Sequence, residues 1–200
     1  MTNGKGRTCA FCRTKLPKSD EEYLVYLRKR VELKDPRAML NMAMNYGRGN
    51  LGLSLDQAKC IDLLRQSAGL GLIDAQHNLG NLHHAGDMGL ERNKEEGIKY
   101  LEKAAGGGDV FARHNLGVIE YENGDHVAAM RHCRLSASGG YKPSIEALIV
   151  CFEEGLLHHG DLSETLQVFY RARAEMRSED RDQFIECLKK TGRYKEEYDY

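Results

Sequence analysis

The chain has 200 residues, 41% of them hydrophobic and 30% charged, which suits one packed domain or a short repeat array and excludes a disordered polymer. Its formal net charge of -1 gives no overall pull toward a polyanion, and no apolar run approaches the ~20 residues needed to cross a bilayer. The opening Met1-Thr2-Asn3-Gly4-Lys5-Gly6-Arg7 has no hydrophobic stretch that would serve as a secretory signal, so a cytoplasmic or nuclear protein with reduced cysteines is expected.

The first chemical signal along the chain is Cys9-Ala10-Phe11-Cys12-Arg13, followed by Leu16-Pro17. Two thiolates at this spacing reach one metal across a tight turn and hold one side of a tetrahedral zinc site. Zinc takes four ligands, and the chain has no second Cys-x-x-Cys, so Cys9 and Cys12 form an incomplete metal site. The remaining cysteines, Cys60, Cys133, Cys151 and Cys187, read as small buried hydrophobes. The first 37 residues carry ten Lys/Arg against five Asp/Glu, a modest basic end that reads as solvated surface and not as a nucleic-acid site. Ser19-Asp20-Glu21-Glu22 is a capping box in front of Tyr23, Leu24, Leu27 and Val31, and it predicts a leading helix over 19–34.

From residue 35 the chain repeats itself. Ala38, Ala75 and Ala112 stand 37 residues apart in similar surroundings, the last two before Gln76-His77-Asn78-Leu79-Gly80 and Arg113-His114-Asn115-Leu116-Gly117. Gly49, Gly52, Leu53 and Asp56 return as Gly86, Gly89, Leu90 and Asn93. Ala68 and Gly71 return as Ala105 and Gly108, then as Ala137 and Gly140 after 32 residues, because the loop at Asn123-Gly124-Asp125 is shorter. A more degenerate fourth unit starts near Ser144-Ile145-Glu146-Ala147-Leu148. Each unit predicts two helices. The first keeps small residues on one side so that a neighbour approaches closely, and the second is apolar at helical spacing, as in Ile61, Leu64 and Ala68. Asp56 and Asn93 fit N-caps, and Gly71, Gly108 and Gly140 fit helix stops. One pair cannot bury its apolar face alone, so pairs must stack.

The pattern Ala-x-x-x-Leu-Gly, a glycine-rich loop, then a helix ending in Ala-x-x-Gly resembles the Sel-one-like repeats, longer-looped cousins of the tetratricopeptide repeats, over roughly residues 31 to 175. The resemblance implies an all-α fold, a right-handed superhelical solenoid of antiparallel helix pairs, and non-catalytic work as a protein–protein scaffold or adaptor. Cys-x-Phe-Cys-Arg in turn resembles the last cysteine pair of a RING finger, with Ala10 where Pro is more usual. That second resemblance implies the alternative: the substrate-recognition part of a RING-type ubiquitin ligase whose finger is incomplete in this chain. Eight residues before Cys9 do not suffice for a RING fold, so no cofactor is expected, zinc entering only with a complete finger upstream. The implied organisation is a finger remnant or linker over 1–18, a repeat array with its leading helix over 19–176, and a C-terminal part over 177–200 with a last helix from Arg181 to Lys190 and a charged tail.

Other signals weigh little. Gly47-Arg48-Gly49-Asn50-Leu51-Gly52 matches Gly-x-Gly-x-x-Gly but follows a predicted helix, whereas a dinucleotide site needs it between strand and helix. His77 and His114 recur in one register, which marks a packing position, and neighbours such as His83 and His84 point about 100° apart on a helix. No nucleophile elbow, zincin or Walker motif occurs, so no enzyme is expected. The partner is a protein or peptide, with neither nucleic acid nor membrane, and the chain is expected to be a monomer. Its candidate binding surface consists of the first-helix residues Asn41, Asn45, Gln76, Asn81, Arg113 and Glu120. The purified chain, dialysed against zinc and assayed for metal, is expected to retain well below one equivalent; stoichiometric zinc lost on Cys12→Ser is the contrary result.

Overall fold

A computed structural model of the chain describes residues 17–176 and Glu186. The Cys9–Cys12 pair, the helix expected from Arg181 to Lys190, Cys187 and the charged tail lie outside the described residues. Within them are nine helices and no strand: α1 (Asp20–Glu32), α2 (Pro36–Arg48), α3 (Gln57–Gly69), α4 (Ile73–Ala85), α5 (Lys94–Gly106), α6 (Val110–Glu122), α7 (His126–Ser138), α8 (Lys142–Glu153) and α9 (His159–Glu175). This is the expected all-α array, one leading helix followed by four helix pairs.

Short polar side chains set where the helices begin. Ser19 accepts a hydrogen bond from the Glu22 amide and starts α1, while Glu22 accepts from the Lys18 amide, one residue ahead of the cap itself. Asp35 and Asp109 occupy one register; each accepts from two amides of the following turn, and so they start α2 and α6. Leu72 holds the same register before α4 and makes no side-chain cap. Every second helix of the three repeats has its cap: Asp56 accepts from the Lys59 amide, Asn93 from Glu96 and Asp125 from Ala128. The stops are as regular. Gly71, Gly108 and Gly140 all have positive φ, +86°, +96° and +83°, and each donates its amide to the alanine carbonyl three residues back. That left-handed turn is open to glycine without penalty and aims the chain into the next helix.

The paired helices run antiparallel, and two of the pairs are pinned at one end by a buried serine. Ser67, near the end of α3, donates its hydroxyl to the Pro36 carbonyl at the start of α2 across 2.7 Å. Ser136 in α7 does the same for the Val110 carbonyl of α6, again at 2.7 Å. Both serines are fully buried, so these bonds also satisfy groups that water cannot reach. Farther along each pair, Gly47 lies against Cys60 and Gly117 against Cys133.

The chain divides into two compact units, Met1–Tyr100 and Leu101–Tyr200, the division falling inside α5. In the first unit Leu40, Ala43, Ile61, Leu64, Ala75 and Leu79 form the core. Leu27 of α1 packs with Ala38 and Met42 of α2. Arg37 and Asp74, which share a register in α2 and α4, form an ion pair. In the second unit Cys133, Ile145, Leu148, Leu162 and Phe169 make the core. Cys60, Cys133 and Cys151 are free and buried, as expected of structural cysteines.

Gly97 of α5 lies close against the backbone of α4. A Cβ placed there would stand 2.8 Å from the His84 nitrogen and 2.9 Å from the Gly80 carbonyl oxygen of α4. Backbone cannot swing aside as a side chain does. Gly97→Ala is therefore expected to destabilise the protein by about 1–3 kcal/mol in urea unfolding. Gly69→Ala, at a helical glycine with nothing within 4 Å, should instead be neutral or gain up to about 1 kcal/mol. Equal effects of the two substitutions would remove the close-approach argument.

Candidate functional site

In the second unit, first helices α6 and α8 flank a cleft of about 200 Å3 whose floor is α7. Its walls are Val118 and Tyr121 from α6 and Ala147 and Val150 from α8; Ala129, Cys133 and Cys151 lie beneath. Gly117 makes room for the floor, since a Cβ at that position would come within 2.8 Å of the Cys133 sulfur. Val118, Tyr121 and Val150 remain exposed, Val150 by 48%, so the walls are open to a partner. The Tyr121 hydroxyl donates to Glu154 across the cleft at 2.7 Å, and the His126 ring leans on the Tyr121 ring with centroids 4.9 Å apart.

Nothing in this cleft is poised for nucleophilic chemistry. Burial pushes the Cys133 thiol up to about 11, and the Cys151 thiol is raised by the same cause. Both sulfurs stay protonated near neutral pH, and a thiol is a poor nucleophile compared with a thiolate. No group of three or more His, Cys, Asp or Glu able to hold a metal occurs among the described residues. A wider groove of about 610 Å3 runs between α7 and α9, with Val127, Met130, Leu135 and Leu156 in its lining. Its Arg134 is already engaged by Asp161 and Glu164.

The six surface residues expected from sequence are placed apart from this cleft. Asn45 donates its side-chain amide to the Asn41 carbonyl within α2, and Gln76 reaches the Ala68 carbonyl at the end of α3; all three are half-buried. Asn81 is exposed, its amide nitrogen 2.9 Å from His77 Nε2. Arg113 and Glu120 are half-buried and act on His132 of α7 through their charges. Four of the six belong to the first unit and two to the second, and none lines the cleft. Their registers nevertheless do: Val118 and Val150 stand where Asn81 stands, Ala147 where Asn41 stands, and Cys151 where Asn45 stands. Val118, Tyr121, Ala147 and Val150 are not among those six, since an apolar residue on a helix reads as core until the packing leaves it uncovered. The usable signal is the register that runs Met44, Asn81, Val118 and Val150, where valine replaces the amide in the last two repeats. In the first unit the matching place beside Gly47 and Cys60 is occupied by Met88, whose Sδ lies 3.8 Å from the Cys60 Sγ.

The histidine register is a packing position in both units. His77 meets Asn81, while His114 Nδ1 lies 3.0 Å from the buried Ser144 Oγ and its ring stands edge-on to Tyr141 at 5.2 Å. Gly49 and Gly52 sit in a left-handed loop after α2, not between strand and helix.

A family model for the Sel1 repeat matches residues 36–72, 73–109 and 110–141, more than half of the chain. Its boundaries coincide with the starts of α2, α4, α6 and α8. Among solved structures, a Sel1 repeat protein from Oxalobacter formigenes aligns at 27% identity and a TM-score of 0.57, covering 63% of this chain and 96% of that one. The protein c5321, described as a protective antigen of uropathogenic Escherichia coli strains with an SLR fold, aligns at 22% identity and a TM-score of 0.65. That match covers 88% of this chain, which spans 38% of the length of c5321, and it shows the fold alone. No curated protein matched the sequence. No helix among the described residues is long and apolar enough to cross a membrane.

Burial lowers the affinity of His114 for a proton, and burial followed by the nearby Arg113 does the same for His132. The unfolded chain therefore takes up more protons than the folded one as pH falls below about 6.5, and stability present above that pH is lost until the lowered folded values are passed. The urea midpoint is expected to fall between about pH 7.5 and 5.5, and the fall should be smaller in His114→Asn even if that variant starts lower. An identical fall in both proteins would remove His114 from the account.

Proposed function

Because the chain belongs to the Sel1 repeat family, we propose that it is a non-catalytic scaffold holding a protein or peptide partner on the first-helix face of its second unit. Sel1 repeat proteins in general mediate protein–protein interaction, and the helix pairs described above supply the rigid surface such work requires. The observation that carries the reading is the α6–α8 cleft, where Val118, Tyr121 and Val150 are held in the open on packed helices. Large apolar side chains displayed together on a rigid surface lose water favourably when a partner covers them, at about 25 cal/mol per Å2. The floor beneath them offers buried, protonated thiols and no acid–base pair, which supports binding over catalysis.

The alternative, that the repeats select substrates for a RING-type ubiquitin ligase, rests on Cys9 and Cys12 alone. It shares the scaffold's binding surface and differs only in what would be attached to it.

Affinity capture from native extract with the full chain as bait, read by mass spectrometry, tests the scaffold. A defined partner is expected whose recovery falls at least about tenfold with Val118→Asp and Val150→Asp together, since charge in an apolar contact is left unpaired. Val127→Asp, at a 76% exposed position on α7, should leave recovery unchanged. A partner equally retained by all variants would move the binding surface elsewhere, and an empty capture from folded bait would count against the scaffold.

A further inference from the structure

The size of the α6–α8 cleft and the charge around it together narrow the chemistry of its occupant. At about 200 Å3 it is smaller than the ~300–1,000 Å3 of sites that enclose a whole small molecule. What enters is therefore one or two side chains carried by something larger, and walls of Val118, Ala147 and Val150 call for aliphatic ones. Both first helices also end here, joined by the hydrogen bond from Tyr121 in the last turn of α6 to Glu154, the residue that caps α8. Neither last turn holds a basic residue. The sequence in the two places is Glu120-Tyr121-Glu122 and Glu153-Glu154, and each helix C-terminus adds roughly half a negative charge of its own. Glu122, Glu153 and Glu154 are exposed, and none of them enters an ion pair among the described residues. Among the described residues the field at the cleft's margin is thus negative. It repels a phosphodiester chain or an anionic membrane surface and favours a cationic partner.

We propose that this cleft receives an aliphatic side chain of a partner peptide whose neighbouring Lys or Arg pairs with Glu154 and the carboxylates at the two helix ends. The proposal rests on the scaffold reading above and adds the partner's chemistry to it. The apolar contact supplies most of the affinity, and the charges select among apolar peptides and speed their encounter.

Random peptides displayed on phage, selected on the immobilised full chain and sequenced, test this directly. The selected pool is expected to be enriched in Val, Leu or Ile within about two positions of Lys or Arg, the reach of adjacent side chains on an extended peptide. A fluorescein-labelled member of the pool should bind Val150→Asp at least about tenfold more weakly. Glu154→Gln and Glu153→Lys should each weaken it about two- to fivefold and flatten its salt dependence, as exposed ion pairs do. Selection on the Glu122→Lys/Glu153→Lys protein should shift the pool from basic toward acidic peptides. Circular dichroism melts confirm that each variant is folded. A pool without basic enrichment that still depends on Val150 would overturn the charge-selected partner and leave the scaffold standing. Binding indifferent to Val150→Asp, or no enrichment over the bare support, would overturn the proposal, and only the capture experiment decides the scaffold itself.

Discussion

The structure depends on how closely two antiparallel helices approach within each repeat. A pair of thirteen-residue helices is too small to bury its apolar face, so it is stable only when its partner helix and the next pair exclude water together. The approach is fixed at one end by a buried serine hydroxyl on a first-turn carbonyl, Ser67 to Pro36 and Ser136 to Val110. Farther along the pair it is allowed by residues too small to hold the helices apart, Gly47 and Gly117. The middle repeat has Ala104 at the serine register, fully buried. In that repeat Gly97 lies close to the α4 backbone at Gly80 and His84, so a missing Cβ serves the approach where no serine bond is present.

Function follows from what this packing leaves uncovered. In the first unit the long loop after α4 returns Met88 over Gly47 and Cys60, and Leu90 joins the same core. In the second unit Gly117 leaves space above the floor of α7, and the walls on either side carry Val118 and Val150 where the same register of the first unit has Met44 and Asn81. The buried cysteines there behave as hydrophobes, since low exposure suppresses the thiolate that reactivity would need. An apolar cleft with an acidic margin is what the proposed partner, aliphatic beside basic, would require. The helix ends that supply the margin cost the fold little, because their carboxylates stay in water.

The amino-acid sequence by itself determined the repeat, its register and the ends of its helices. Asp56, Asn93 and Asp125 cap because an oxygen on a short side chain reaches the amide three residues on, and Gly71, Gly108 and Gly140 stop because only glycine turns left-handed without strain. These are local rules, complete within a few residues, so they can be read from the chain. The packing role of the His77 and His114 register was legible for the same reason, as a recurrence that a single site would not show. What only the tertiary structure decided is which members of a register are covered. Asn81, Val118 and Val150 share a place on the repeat, yet Met88, contributed by a loop, occupies the first unit's counterpart while the second unit's cleft stays open. Periodicity fixes the direction in which a side chain points; whether another segment lies in that direction depends on contacts distant in sequence, which no local pattern encodes.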